Sequence, residues 1–254
     1  MKIGVMQGRL SSPVDNHIQE FPLDWRQEFD AVKAMGLFGI EWIVTQKCFE
    51  DNPVFISPKI LEMYPVTSVC LDVLVDTRIT NEKFVNYVFD TACRLGLSRL
   101  TVPLLDDSDL SDDEKRKIFC DIIKPIGEKF PHVNFSFEAE LEMHKLKEII
   151  SLCDNFNVTY DTGNATSCRF NHDEYIKYFS DKINNVHIKD RTFDATTVAP
   201  LTGDTDFDTI FRALSTIDYR GAFVLQTARG DMGKEFQTIK KHKQLFEELH
   251  AKYF

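Results

Sequence analysis

The chain has no long run of basic residues, no paired-cysteine motif, no low-complexity segment and no apolar stretch near the ~18 residues a membrane-spanning helix needs. Each absence removes a class of function. With 30 Lys and Arg against 40 Asp and Glu, a formal charge of −10, the protein would repel a phosphodiester backbone and has no basic stripe to offset that repulsion. Nucleic acid is therefore not an expected partner. The six cysteines, Cys48, Cys70, Cys93, Cys120, Cys153 and Cys168, are scattered along 254 residues. They read as buried thiols in a reducing compartment. The opening "MKIGVMQGRL" carries an apolar run too short for the core of a signal peptide. A cytoplasmic protein without membrane contact is the expectation. Glycine and proline are sparse, 11 and 9, and fall singly between short periodic segments. With no linker at which to divide the chain, one domain over residues 1–254 is expected.

What is present is a repeated strand-then-helix unit. "KIGVMQG" (Lys2–Gly8) is a short apolar strand, followed by helical spacing of Trp25, Phe29, Val32 and Met35. "FGIEWIV" (Phe38–Val44) precedes a short helix near Lys59–Tyr64. "VTSVCLDVLV" (Val66–Val75) precedes a helix over Asn81–Leu95, and "SRLTVPLL" (Ser98–Leu105) one over Ser111–Phe130. Ser111 and Glu114 have the spacing of a capping box. The second half continues with "VNFSFEA" (Val133–Ala139), "FNVTYD" (Phe156–Asp161), "NNVHIKD" (Asn184–Asp190) and "GAFVLQTA" (Gly221–Ala228), with helices near Met143–Cys153, His172–Phe179, Phe207–Ile217 and Lys234–Lys252. Eight such units in one chain of this length have the rhythm of a (β/α)8 TIM barrel. A doubly wound open sheet is the alternative.

In a barrel, inward residues of a strand share parity and chemistry gathers at the C-terminal strand ends. Ser136 and Glu138 then oppose Phe135 and Phe137, whose aromatic face should pack on helices. Thr159 and Asp161 oppose Val158 and Tyr160. Asn185, His187 and Lys189 oppose Val186 and Ile188, and Gln226 opposes Leu225. Four consecutive strands can thus aim Glu138, Asp161, His187 and Gln226 at one point. All four offer oxygen or imidazole nitrogen to a divalent cation, and burying two carboxylates together without one would be costly. Asp161, directly before Thr-Gly-Asn, also reads as a turn cap.

The phrases "GVMQGRLS", "GIEWI", "FSFEAEL", "VTYDTGN", "VHIKD" and "DFDTIFRAL…DYRGAFVLQTAR", in that order from Lys2 to about Arg229, resemble the xylose-isomerase-like superfamily of sugar isomerases and epimerases. The resemblance implies one divalent metal ion held by a fifth-strand Glu, sixth-strand Asp, seventh-strand His and eighth-strand Glu. The first three match Glu138, Asp161 and His187. Gln226 stands where the family has its fourth ligand, a carboxylate. The resemblance also implies that the fifth- and eighth-strand acids act as a base pair across an enediolate. Gln226 can ligate through its amide oxygen but cannot take a proton.

Lys189 is the group that can fill that gap, as a base or as a cation for an anionic substrate group, unless it is only a solvated strand-end lysine. Arg9 and Arg229 are candidates to bind a carboxylate or phosphate, or else to form structural ion pairs with Asp190 or Glu41. Glu41 on strand two and Asp72 on strand three complete a polar rim of substrate-binding candidates. Trp42, Phe49 and Phe55 are candidates for an apolar wall against a sugar face. The expected function is a metal-dependent isomerase or epimerase of a sugar, sugar acid or sugar phosphate, using manganese, magnesium, cobalt or zinc. Glu138 would be general base and ligand. The alternatives are a lyase or dehydratase pairing Glu138 with Lys189, and a catalytically silent sugar-binding barrel. A homodimer is the default association for this barrel class.

Overall fold

A computed structural model describes residues 1–13 and 21–254. Its regular elements are β1 (Lys2–Met6), α1 (Trp25–Met35), β2 (Ile40–Ile43), α2 (Pro53–Ile56), α3 (Ile60–Met63), β3 (Val66–Cys70), α4 (Glu82–Cys93), β4 (Arg99–Leu104), α5 (Asp113–Lys129), β5 (Asn134–Ala139), α6 (Met143–Ile150), β6 (Phe156–Asp161), α7 (Thr162–Ser167), α8 (His172–Tyr178), β7 (Ile183–Ile188), β8 (Asp190–Arg191), β9 (Thr197–Val198), α9 (Phe207–Thr216), β10 (Ala222–Leu225) and α10 (Glu235–Tyr253). Eight strands form a closed barrel in the order β1-β10-β7-β6-β5-β4-β3-β2, and β8 pairs with β9 as a separate antiparallel ribbon. The TIM barrel, not the open sheet, is the fold. Packing divides the chain into two compact units, Trp42–Thr159 and Met1–Glu41 with Tyr160–Phe254.

In the unit Trp42–Thr159, β4 pairs with β5 along its whole length, from Arg99↔Asn134 to Leu104↔Ala139, and β5 with β6 from Phe135↔Phe156 to Phe137↔Val158. Strand alternation sorts these residues as the parity argument requires. Phe135 meets Phe89 of α4 edge to face at 5.4 Å, and Phe137 meets Phe119 of α5 at 6.4 Å. On the opposite face, Thr159 Oγ1 donates to Ser136 Oγ at 2.7 Å. Each fully buried phenylalanine contributes about 2–3 kcal/mol by leaving water. Helix α5 comes close to β6 only because position 127 is glycine. A Cβ there would lie 2.4 Å from Phe156 Cε1.

Two local expectations fail in this unit. Helix α5 starts at Asp113 and is capped by Asp112, whose side chain accepts from the Lys115 N–H at 2.8 Å. Ser111 lies one residue before this cap, and its N–H and hydroxyl both donate to Asp109 Oδ2. Asp112, one residue downstream of Ser111, takes the cap role. Strand β3 ends at Cys70, and Asp72–Leu74 form a 3-10 turn. Asp72 is therefore past the strand, not on it. Leu71, Val73 and Leu74 are buried in that turn, and a short buried apolar run reads alike as strand or turn.

In the unit Met1–Glu41 with Tyr160–Phe254, β10 lies between β1 and β7, with Val5↔Leu225 on one side and Val224↔His187 on the other. Phe211 of α9 stacks on Phe223 at 5.4 Å, and Phe246 of α10 packs against Phe207 at 5.1 Å. Strand β10 stops at Leu225, so Gln226 follows the strand. Its N–H still donates to Ile188 O at 3.0 Å, which keeps it in step with the end of β7. Where a simple turn was expected after β6, the short helix α7 begins at once. Asp190 accepts the backbone N–H groups of Thr202, Gly203 and Thr205 and so shapes the loop that returns from the β8–β9 ribbon.

Candidate active site

The site is built from the end of β6 outward. Asp161 is 4% exposed, and its two oxygens have different partners. Oδ1 accepts from the Asn164 N–H at 2.8 Å and caps α7, and Oδ2 lies 2.9 Å from Lys189 Nζ. Helix cap and ion pair are thus divided between two atoms of one carboxylate. Burial pushes this carboxyl up, but Lys189, then His187 and the Asn164 N–H, outweigh it and hold the group below the usual aspartate range.

Lys189 follows β7 and is buried, with Nζ also donating to Asn164 Oδ1 at 3.2 Å. Thr162 clamps its backbone from both sides: the Thr162 hydroxyl donates to Lys189 O at 2.6 Å and lies 2.9 Å from Lys189 N. Position 163 must be small here, since a Cβ would come within 3.0 Å of the Lys189 side chain. The "DTGN" turn is therefore a seat for Lys189 as well as a helix start.

His187 on β7 is fully buried. Its Nε2 lies 3.0 Å from Glu41 Oε1 on β2, and Asn185 Nδ2 donates to Glu41 Oε2 at 3.0 Å. An ionised carboxylate only accepts, so Nε2 carries the proton and Nδ1 presents its lone pair. Nδ1 is 4.0 Å from Asp161 Oδ2. Glu41, placed on the substrate-binding rim by its sequence position, is completely buried behind the imidazole. Its carboxylate fixes the orientation of the imidazole ring.

Gln226 Oε1 is buried and has no hydrogen-bond partner among the described residues. Beside it lies a cavity of about 340 Å³ lined by Arg9, Lys189, Arg191 and Arg229 as well as Gln226. Arg9 donates through Nε to Thr227 O at 3.0 Å, and Arg229 Nη1 donates to Ser11 O at 2.7 Å. Burial, then the charge of Arg229, lowers Arg9 to about 9, with Glu28 acting the other way. Arg9 is still a cation at neutral pH. Glu28 accepts from the Gly8 and Leu10 N–H groups and the Ser11 hydroxyl, and so fixes the segment that carries Arg9.

In the other unit, Glu138 is the fifth residue of β5, opposite Pro103 of β4, and is 2% exposed. Burial, then the charges of Glu138 and Asp106, together push Asp72 up to about 6. Trp42 is wholly buried and its indole N–H donates to Asn52 Oδ1 at 2.9 Å, so it is core and not a sugar-facing wall. Phe49 packs on Phe55 and Tyr87 at 5.3 and 5.5 Å.

Sequence reasoning gave no role to Asn164, Asn185 or Arg191. Asn164 lies inside the singled-out "VTYDTGN". Asn185 and Arg191 continue the two-residue spacing through His187 and Lys189, which was the available signal for both.

The sequence pattern of the xylose isomerase-like TIM barrel family matches residues 82–249. No curated protein matches the chain. Among solved structures, the IOLI protein with a binding zinc atom is 18% identical, with 100% of this chain and 99% of that one covered at a TM-score of 0.76. L-ribulose 3-epimerase is 14% identical, covering 99% and 95% at 0.76. D-allulose 3-epimerase from Methylomonas sp. is 15% identical, covering 98% of each chain at 0.72. At such identities the likeness is one of fold. With the family's sequence pattern running through more than half of its length, the chain belongs to the xylose isomerase-like TIM barrel family.

Proposed function

We propose that the protein is a divalent-metal-dependent isomerase or epimerase of a sugar or sugar derivative. The observation that carries this reading is the braced His187, whose Nε2 is committed to Glu41 while Nδ1 faces Asp161. Glu138 is the proposed third ligand. Ser136 and Thr159 meet across β5 and β6, and two residues further along the same strand faces come Glu138 and Asp161. Glu138, Asp161 and His187 are each buried, and each offers a carboxylate oxygen or imidazole nitrogen of the kind that ligates an ion. The unpartnered oxygen of Gln226 fits a neutral fourth ligand. Two carboxylates, an imidazole and an amide oxygen suit zinc, manganese, cobalt or magnesium. The epimerases of similar fold act on ribulose, allulose and a 3-keto-glucoside, which supports a carbohydrate substrate here.

The bound ion would polarise a substrate carbonyl. Glu138 then removes a proton from the adjacent carbon. Gln226 cannot return it, because an amide has no acidic proton to give. Lys189, held in place by Asp161 and Asn164, is the proposed proton donor. One carboxylate base and one ammonium acid also suit a lyase or dehydratase, and the amide at Gln226 is the observation that favours this second reading.

Protein purified without chelator should carry about one divalent ion per chain by elemental analysis, and Asp161→Ala and His187→Ala should each lose it. Full retention of the ion in both variants would sink the metal site. With a panel of ketoses and sugar acids in D2O, an isomerase or epimerase incorporates solvent deuterium into recovered sugar, and a lyase yields a dehydrated product. A protein that binds sugar but does neither is the silent barrel.

A further inference from the structure

We infer that the substrate carries an oxyanion, carboxylate or phosphate, and that Arg9, Arg191 and Arg229 receive it in the cavity beside Gln226. The cavity's volume, about 340 Å³, suits a small molecule. Four of its lining residues are cations, and among the described residues that line it there is no carboxylate. This concentration of positive charge is found in a chain of formal charge −10.

Lys189 is paired with Asp161 at 2.9 Å, and the arginines act on one another: the effect of Arg229 on Arg9 exceeds the opposing effect of Glu28. Burial likewise lowers Arg229, with Glu28 and Glu235 opposing. Glu28 is itself pushed up by burial, against the hydrogen bonds it accepts. A neutral sugar would leave this repulsion in place, and so would a cation. An oxyanion relieves it, and guanidinium groups match carboxylate and phosphate oxygens in pairs.

The site is also built in advance. Arg9 is anchored by Thr227 O, Arg229 by Ser11 O, and Arg191 Nη1 donates to Ser167 Oγ at 3.3 Å. Such fixed side chains lose little freedom when a ligand arrives. Arg191 is on β8, two residues past Lys189, so the oxyanion would lie next to the proposed proton donor. That the anion belongs to a sugar rests on the isomerase reading. That an oxyanion binds here does not.

The test is calorimetric titration of chelator-treated full-length protein at low ionic strength with inorganic phosphate, with glycerate, and with glycerol as the neutral control. Saturable binding of phosphate or glycerate, one per chain, is expected, with none for glycerol. Affinity should fall tenfold or more in Arg191→Gln or Arg229→Gln. Both arginines are half-buried, and circular dichroism checks that the variants fold. Phosphate alone binding assigns a phosphorylated substrate, and glycerate alone a sugar acid. Failure of both anions to bind the unmodified protein overturns the inference without needing any variant, as does unchanged affinity in both folded variants. Because no metal is present, loss of the metal reading would leave this result intact.

Discussion

Glu41 and His187 are 146 positions apart in sequence, yet meet at 3.0 Å with neither exposed to solvent. A carboxylate in that place fixes the imidazole tautomer and raises the basicity of the opposite nitrogen. Glu41→Gln preserves shape and can still accept the Nε2 proton, but weakly. Divalent-ion affinity should drop by about 10–100-fold while the fold is retained, as measured by competition with a chromophoric chelator. Unchanged affinity would make Glu41 merely a filler of the barrel interior. Asn185, which donates to the same carboxylate, keeps its second oxygen satisfied and so holds the brace in one rotamer.

At the scale of elements, the aromatic face of β5 and β6 depends on how near α5 can approach. Gly127 on α5 faces the Phe156 ring at a distance no Cβ could occupy. Phe156 is itself held edge to face by Phe135 and Phe137 at 5.7 and 5.1 Å, so it has nowhere to move. Gly127→Ala gains about 1 kcal/mol of helix propensity and loses roughly 1–3 kcal/mol to overpacking in a rigid core. Net destabilisation is expected, seen as a lower urea midpoint with unchanged slope. A rise in the midpoint would show that α5 shifts freely on the strand. Helix α7 illustrates the opposite economy, since one residue, Asp161, ends the strand, caps the helix and orders Lys189. The phrase "VTYDTGN" contained that whole device, although the helix itself was not legible because Thr, Gly and Asn favour turns on their own.

At the scale of the molecule, one contribution to pH sensitivity comes from a buried histidine. His242 of α10 has Nδ1 2.8 Å from the Thr227 hydroxyl, one residue past Gln226. Burial, then Lys241, lowers it to about 4 from an ordinary 6.5. Between those values the unfolded chain binds a proton that the folded chain does not, so stability rises with pH through that window. The contribution is complete above 6.5 and is lost as pH falls towards about 4. His242→Gln should therefore flatten the acid limb of the stability curve, measured by denaturant unfolding at pH 7.5, 6 and 5. An identical limb in the variant would assign the acid sensitivity elsewhere.

What the sequence by itself determined was parity: which residues share a strand face and which strands end in a polar group. Alternation is a property of the extended backbone and needs no knowledge of the rest of the chain, which is why Ser136 with Glu138, Thr159 with Asp161, and Asn185 with His187 and Lys189 could be sorted in advance. The tertiary structure decided everything that depends on closure of the barrel. It ended β3 before Asp72 and β10 before Gln226, gave the α5 cap to Asp112, and placed Glu41 behind His187. It also gathered Arg9, Arg191 and Arg229 around one cavity from segments that no periodicity connects. Long-range pairs are selected by the energy of the assembled fold, in which a buried charge must find a partner wherever the chain brings one. Local pattern carries no record of that choice.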